Sequence, residues 1–344
     1  MRLRISFARV FGFAVLLMAL ALPKFVFTND YNRGLLVLTV IYAIAGLSLD
    51  YIMGQMGQFS FGHAAFWGFG AYVSAKLALD LGLSPWLGFI AASLAAGIIG
   101  IGIGLIALRR NRGLELAIVT LGFGVLAWIV ALRWRPVTGG PAGLRKVPSP
   151  SIFGWEIRSE FSYYYLALGF LLLIVWVLAR LEHSSFGRAV RSINENEALA
   201  SAVGISAMRY YVLAFGFSCA LVGFSGALYA HHFRFVNPNL LSLQPMFMFL
   251  IIVLVGGSGT LWGPVFGAAA FVWISETLRV SEEFRFLIFG VVLLLIVLFM
   301  PRGIYPALRD GVMNANRLLF GRWVQATDKD DREVVGSADG TSMG

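Results

Sequence analysis

The strongest constraint on this chain is the repeated return of apolar windows near 20 residues long. That is about the length a helix needs to cross a hydrocarbon core of roughly 30 Å. Runs such as GLLVLTVIYAIAGLSL (34–49) and FLLLIVWVL (170–178) carry no charged residue. With 58% hydrophobic and only 13% charged residues over 344 positions, a water-soluble shell would be short of charge, since such proteins carry roughly twice that share. The chain is expected to be an all-α, polytopic membrane protein.

Ten spans are expected, at about 10–27, 35–53, 61–79, 86–108, 114–132, 162–180, 209–230, 243–256, 262–278 and 284–300. MRLRISFARV looks like the basic start of a signal peptide, but FGFAVLLMALALPKFVF (11–27) has no clear small-residue cleavage site, so a retained first span is expected. The eighth span is short. MFMFLIIVLV supplies about 15 Å of helix before the GGSGT sequence, so the segment near 246–278 is expected to extend, tilt or break. As one broken element it would move the C-terminus to the other side. Lys and Arg divide almost evenly between the two sides. Those in MRLRISFAR, RRNR (109–112) and the 181–208 connection are the more clustered, which favours a cytoplasmic N-terminus. Residues 1–309 then form the transmembrane domain, and 310–344, rich in charged and small residues, a disordered cytoplasmic tail. Cys219 stands alone, which leaves no disulfide framework and no cysteine metal site. A net charge of +9 suits basic loops beside anionic lipid better than a nucleic-acid surface.

The stretch GQFSFGHAAFWGFGAYVSA (57–75) almost lacks ionisable groups. At helical spacing Ser60, Ala64, Gly68, Ala71 and Ala75 form a stripe of small residues, which lets another helix approach closely in lipid. Gln58, Ser60 and His63 are polar groups at its beginning. They are the candidate solute-pathway residues, with the alternative that they satisfy neighbouring backbone and pack as structural residues. Asp50, Lys76, Glu115 and Glu276 lie near span ends and are expected as boundary residues solvated at the interface. No span carries the central charge of an ion relay, which weakens an ion-coupled carrier or channel. A membrane enzyme fares worse. No HExxH, GxSxG or Walker A pattern occurs, and His231 and His232 point about 100° apart on a helix, so neither catalytic residues nor a metal or cofactor are expected.

Two connections are long. Residues 133–161 are rich in Pro and Gly and are expected to form an ordered external loop. Residues 181–208 contain an amphipathic segment, expected as a short helix on Ala189, Val190, Ile193, Ala198, Leu199, Ala202 and Val203. Its other positions carry Arg188, Arg191, Asn194, Glu195 and Glu197, and Gly204 follows. Such a helix suits either the lipid surface or the transmission of a partner's movement into the next span.

Four stretches together resemble the permease subunits of ABC importers for branched-chain amino acids, of the LivM type. They are GQFSFGHAAFWGFGAYVSA, TGGPAGL (138–144), FGRAVRSINENEALASAVGISAMRYYVLAF (186–215) and GGSGTLWGPVFGA (256–268). The resemblance covers about 30–310. It implies a second, homologous permease, two cytoplasmic ATPases and a periplasmic binding protein, in the bacterial inner membrane. It also implies a coupling loop for the ATPases at 188–204, with Arg188, Arg191, Glu197 and Gly204, although ENEALASAVG departs from the commonest form. Thr138, Gly139, Gly140 and Gly143 fall outside, where a docked binding protein would meet them. Urea and short-chain amide permeases have similar stretches, so branched-chain amino acids are the default substrate among these.

Overall fold

The computed structural model describes residues 19–24, 27, 29–109, 113–152, 154–277, 290 and 303–307. Most of the expected first and last spans, and all of the expected tail 310–344, lie outside these residues. Besides the helical residues 19–24, ten helices of six residues or more order the described chain: α1 (Asp30–Met56), α2 (His63–Asp80), α3 (Pro85–Ala107), α4 (Leu114–Arg133), α5 (Glu160–Glu182), α6 (Ser185–Glu195), α7 (Glu197–Ala202), α8 (Ala207–Phe233), α9 (Leu243–Gly256) and α10 (Gly263–Thr277). Two-residue strands β1 (Leu144–Arg145) and β4 (Phe235–Val236) pair antiparallel, as do β2 (Ser151–Ile152) and β3 (Trp155–Glu156).

The helix ends follow local chemistry. Asn29 caps α1 by accepting from the Tyr31 N–H, and Gly57, in the left-handed region, lets the Gln58 N–H close on the Ile52 carbonyl. Ser159, Ser184 and Asn196 cap α5, α6 and α7 through their side chains. Pro85 occupies the first turn of α3, where its missing N–H costs nothing.

Among the described residues, α1, α3, α4, α5 and α8 are long and apolar enough to cross a membrane. The chain is therefore a multi-pass helical membrane protein. Eight expected spans coincide with helices, but α2 is diluted by Gly, Ala, Lys76 and Asp80, while α9 and α10 have 14 and 15 residues. At about 1.5 Å per residue α9 falls short of a full crossing, while α10 is described only as far as Thr277. They do not continue one another. A Cβ built on Gly267 would meet the Ile252 carbonyl and one on Gly256 the Gly263 carbonyl, so the pair folds back as an antiparallel hairpin through 257–262.

The core lies where α8 packs on α1, α2 and α3, with α1 also covered by α5, α9 and α10. In contrast, α4 leans mainly on α2 and on the short 3-10 turn Pro238–Leu241. One end of the bundle carries α6 and α7, and the other carries the 133–161 connection; these are called the α6 end and the loop end.

Candidate functional site

A ladder of hydroxyl and imidazole groups stitches α1, α2 and α8. The Ser218 hydroxyl donates to the Ser48 carbonyl at 2.5 Å, and the Ser48 hydroxyl donates to the Ser218 carbonyl at 2.7 Å. With the Ser218 proton committed there, His63 Nε2–H donates to Ser218 Oγ at 2.7 Å, and His63 Nδ1 accepts from Ser60 at 3.0 Å. Higher up, Trp67 Nε1–H reaches Ser225, whose own hydroxyl donates to the Ile41 carbonyl. At the loop end His231 Nδ1–H donates to the Pro148 carbonyl at 2.6 Å, leaving Nε2 to accept from Ser74 at 2.7 Å. Each rung satisfies polar groups that would be costly to leave unpaired in a dry interior.

This ladder sets where the expected pathway residues sit. His63 is fully buried with both ring nitrogens bonded, Ser60 is buried beside it, and Gln58 accepts from the Gly113 N–H at 2.9 Å. The expected small-residue stripe is buried along Ala64, Gly68, Ala71 and Ala75, but it does not mark the tightest helix contact. Gly68 faces Leu241 of the 3-10 turn. The closest approach to α8 follows the neighbouring line His63, Trp67, Gly70 and Ser74, where a Cβ on Gly70 would lie 2.2 Å from the Gly223 carbonyl oxygen. Ser74, Ser218, Ser225 and His231 were missed as a group in the sequence. Their signal was the small-residue run in GFSCALVGFSGALYAHH (216–232), parallel to that of α2.

Asp50 corrects the boundary expectation for it. It is 3% exposed, and its Oδ1 accepts the Gly259 N–H at 2.7 Å from the tip of the α9–α10 hairpin. That donor is 209 positions away, so no local pattern announces it. Nearby, Gln55 Nε2–H donates to Glu182 at 2.7 Å, and α6 packs on α1. The α6 end thus brings together the ends of α1 and α5, the hairpin tip and α6.

The amphipathic segment also differs from expectation. Asn196 takes extended backbone angles and splits it into α6 and α7. Ala189, Val190, Ile193 and Ala200 are buried, while Leu199 and Val203 turn outward at 68% and 74% exposure. The helix phase resets at Asn196, so one continuous apolar face does not form. Arg188 and Arg191 are exposed, Glu197 is half-buried, and Gly204 is exposed at φ +87° as α7 ends. The surface therefore combines guanidinium groups with two outward apolar side chains.

At the loop end, Thr138 Oγ donates to the Ala131 carbonyl at 2.6 Å, and Gly139, Gly140 and Gly143 all have positive φ. A Cβ on Gly143 would lie 2.3 Å from the Val236 carbonyl oxygen, so this turn is pressed on β4. The β1–β4 pairing, the Trp86 Nε1–H bond to the Ser151 carbonyl and the His231 bond to Pro148 fasten the 133–161 connection to the bundle.

Between α2 and α4 lies a cavity of about 530 Å³. Ala65, Phe69, Tyr72 and Lys76 line it along α2, facing Phe123, Ala127, Val130 and Trp134 of α4. Gln58, Ser60 and His63 are not part of its wall.

Comparison with known proteins agrees with this architecture. Residues 33–298 match the family described as branched-chain amino acid transport system / permease component. The chain is 32% identical over 324 residues to the high-affinity branched-chain amino acid transport system permease protein LivM of Escherichia coli K12, spanning 88% of this chain and 76% of that protein. It is 28% identical over 284 residues to LivH of the same system and organism, spanning 76% and 90%. The autoinducer 2 import system permease protein LsrC of Salmonella paratyphi B is 28% identical over 224 residues, 60% of this chain and 62% of that protein. A match over most of the helical bundle, together with a relative above 30% identity, places this chain in the branched-chain amino acid transport system permease family.

Proposed function

We propose that this chain is a permease subunit of an ATP-driven importer that carries branched-chain amino acids across the bacterial inner membrane. The observation that carries this reading is the family match over residues 33–298. The likeness of one chain to both LivM and LivH supports a pair of homologous permeases in the working assembly. Two cytoplasmic ATPases would dock on α6 and α7, where exposed Arg188, Arg191, Leu199 and Val203 offer charge and apolar contact. Glu197 and Gly204 would hold that surface in shape. A periplasmic binding protein would meet the connection containing Thr138, Gly139, Gly140 and Gly143. This arrangement sets the N-terminus and the tail 310–344 in the cytoplasm, with residues 1–309 as the transport domain. Gln58, Ser60 and His63 would keep the start of α2 rigid beside the path. No catalytic group of its own is assigned to the chain.

The test is reconstitution of the full assembly in liposomes, with ATP inside and leucine-loaded binding protein outside. ATP-dependent leucine uptake is expected. Accumulation of leucine along an ion gradient by liposomes holding this chain alone would instead favour a self-sufficient carrier. A narrower variant addresses the docking surface. Gly204→Val forces a β-branched residue into left-handed backbone, at a cost of about 1–2 kcal/mol, with no neighbouring atom in its way. Stimulated ATPase activity is expected to fall several-fold while membrane insertion persists, and normal stimulation would remove Gly204 from the coupling role.

A further inference from the structure

The two halves of α5 meet α8 differently. Toward the loop end the helices are joined: the Tyr163 hydroxyl donates to the Leu228 carbonyl at 2.7 Å, and the Phe170 and Phe224 rings lie 4.9 Å apart. Toward the α6 end both helices pack near α1 and leave a cleft of about 510 Å³ between them. Trp176, Val177 and Arg180 of α5 form one wall, and Leu213 and Phe217 of α8 the other. Trp176 and Leu213 are exposed, so the cleft opens outward to lipid. Phe186 of α6 closes its α6 end, with its ring 5.2 Å from that of Tyr210. From Phe170 to Arg180 the wall spans about 15 Å at helical rise, half of a hydrocarbon core of roughly 30 Å. The cleft is one leaflet deep.

Its wall is apolar except at the α6 end. Ser184 spends its hydroxyl on the Leu181 carbonyl at 2.6 Å. The Arg180 side chain is exposed and makes no hydrogen bond or ion pair among the described residues. Arg209, one turn before Leu213 on the same face of α8, is exposed and unpaired in the same sense. Other cations are already matched, since Arg33, Lys76 and Arg158 are ion-paired. Glu182, two positions past Arg180, turns away to α1, where Gln55 donates to it. Two free guanidinium groups therefore stand at the polar end of a dry cleft.

A helix of a second subunit suits this shape poorly. Helices associate in lipid through small residues and hydrogen bonds, whereas Trp176, Phe186, Leu213 and Phe217 would hold a partner's backbone away. A flexible acyl chain fills an irregular apolar space without such an approach. It gains little by leaving the bulk bilayer, so preference must come from the head, where arginine grips phosphate oxygens as a fork. In a zwitterionic lipid the head's own ammonium competes for that phosphate. We infer that the α5–α8 cleft binds one anionic phospholipid, its acyl chain along Trp176, Leu213 and Phe217 and its phosphate at Arg180 and Arg209. The site rests on the membrane fold alone; the orientation proposed above decides only which leaflet supplies the lipid.

The experiment titrates the complete, detergent-purified importer with phosphatidylglycerol or phosphatidylcholine and counts bound lipid by native mass spectrometry. The parent should bind phosphatidylglycerol about tenfold or more tightly than phosphatidylcholine. One guanidinium near a membrane surface is worth about fivefold. Arg180→Ala should therefore weaken phosphatidylglycerol binding about fivefold, and Arg180→Ala/Arg209→Ala should abolish the preference. Val177→Trp narrows the cleft with both guanidinium groups in place and should weaken both lipids, an effect that surface charge alone does not produce. Arg145→Ala, exposed in β1 at the other end, removes one charge as a control and should bind as the parent does. Equal binding of the two lipids by the parent, a preference undiminished in the double variant, or parent-like binding in Val177→Trp overturns the inference. No substrate or nucleotide enters the measurement, so an importer that fails to carry leucine would sink only the proposed function.

Discussion

The two faces of α2 have opposite designs. One face, His63, Trp67, Gly70 and Ser74, meets α8 at backbone distance and is bonded to it at three levels. The other, Ala65, Phe69, Tyr72 and Lys76, opens on a cavity and leaves a tyrosine hydroxyl without a partner. The neighbouring helices differ in the same sense, since 72% of the apolar window of α8 is buried and 28% of that of α4. In lipid, burial of apolar area gives helices little reason to associate, so contact depends on close packing and hydrogen bonds. A helix provided with both, like α8, is part of a rigid body. A helix with fewer of both, like α4, which is bonded to the bundle near its start through Gly113 and Thr120, is held more loosely along the rest of its length.

The comparison can be broken at its strongest point first. In Gly226→Val a new Cβ would lie 1.9 Å from the Trp67 carbonyl oxygen, in the closest part of the α2–α8 contact. The cost should exceed the roughly 1–3 kcal/mol of ordinary overpacking. Little folded protein should then be recovered from membranes, as judged by monodisperse elution in detergent. Recovery at the parent's level would mean that α2 and α8 are not locked together.

The hydrogen-bonded rungs come next. His231→Ala strips partners from the Ser74 hydroxyl and the Pro148 carbonyl together, and should destabilise by about 1–2 kcal/mol. Because this rung also fastens the 133–161 connection, limited proteolysis should cut that connection faster while the bundle survives. A variant whose thermal midpoint falls but whose loop stays resistant would assign the loop's order to β1–β4 alone.

The smallest effect belongs to the loose side. Leu126 of α4 is 64% exposed, so Leu126→Ala should change stability by less than about 0.5 kcal/mol. A loss comparable to that of His231→Ala would show that another subunit covers α4. That result would sharpen the comparison by naming what the free side of α4 touches.

Legibility followed the range of the interaction. The apolar windows and the end signals at Asn29, Ser84–Pro85, Ser159 and Ser184 are local, and the helices begin within a few residues of the expected spans. The glycines after MFMFLIIVLV pointed to an interruption near 257. The order of the 133–161 connection was legible in part, since Pro fixes φ there while Gly139, Gly140 and Gly143 admit the left-handed turns it makes. The candidate residues Gln58, Ser60 and His63 were visible as polar groups among rings. Their partners at Gly113 and Ser218 were not, because those lie across the fold. The smooth amphipathic pattern of 188–203 misled because Asn196 resets the helix phase, and side-chain periodicity does not report such a break.

By itself, the sequence determined that this chain is a set of membrane helices, where most of them begin, and which permease family its motifs resemble. Only the tertiary structure decided that Asp50 holds a hairpin tip, that His63 and His231 are rungs between helices, and that the back of α2 faces a cavity. The physical reason is that an apolar stripe fixes a helix and its hydrophobicity, whereas in lipid almost any apolar face is acceptable outward. Which face turns inward is settled by where a carbonyl, a hydroxyl and a glycine from distant segments come within bonding reach.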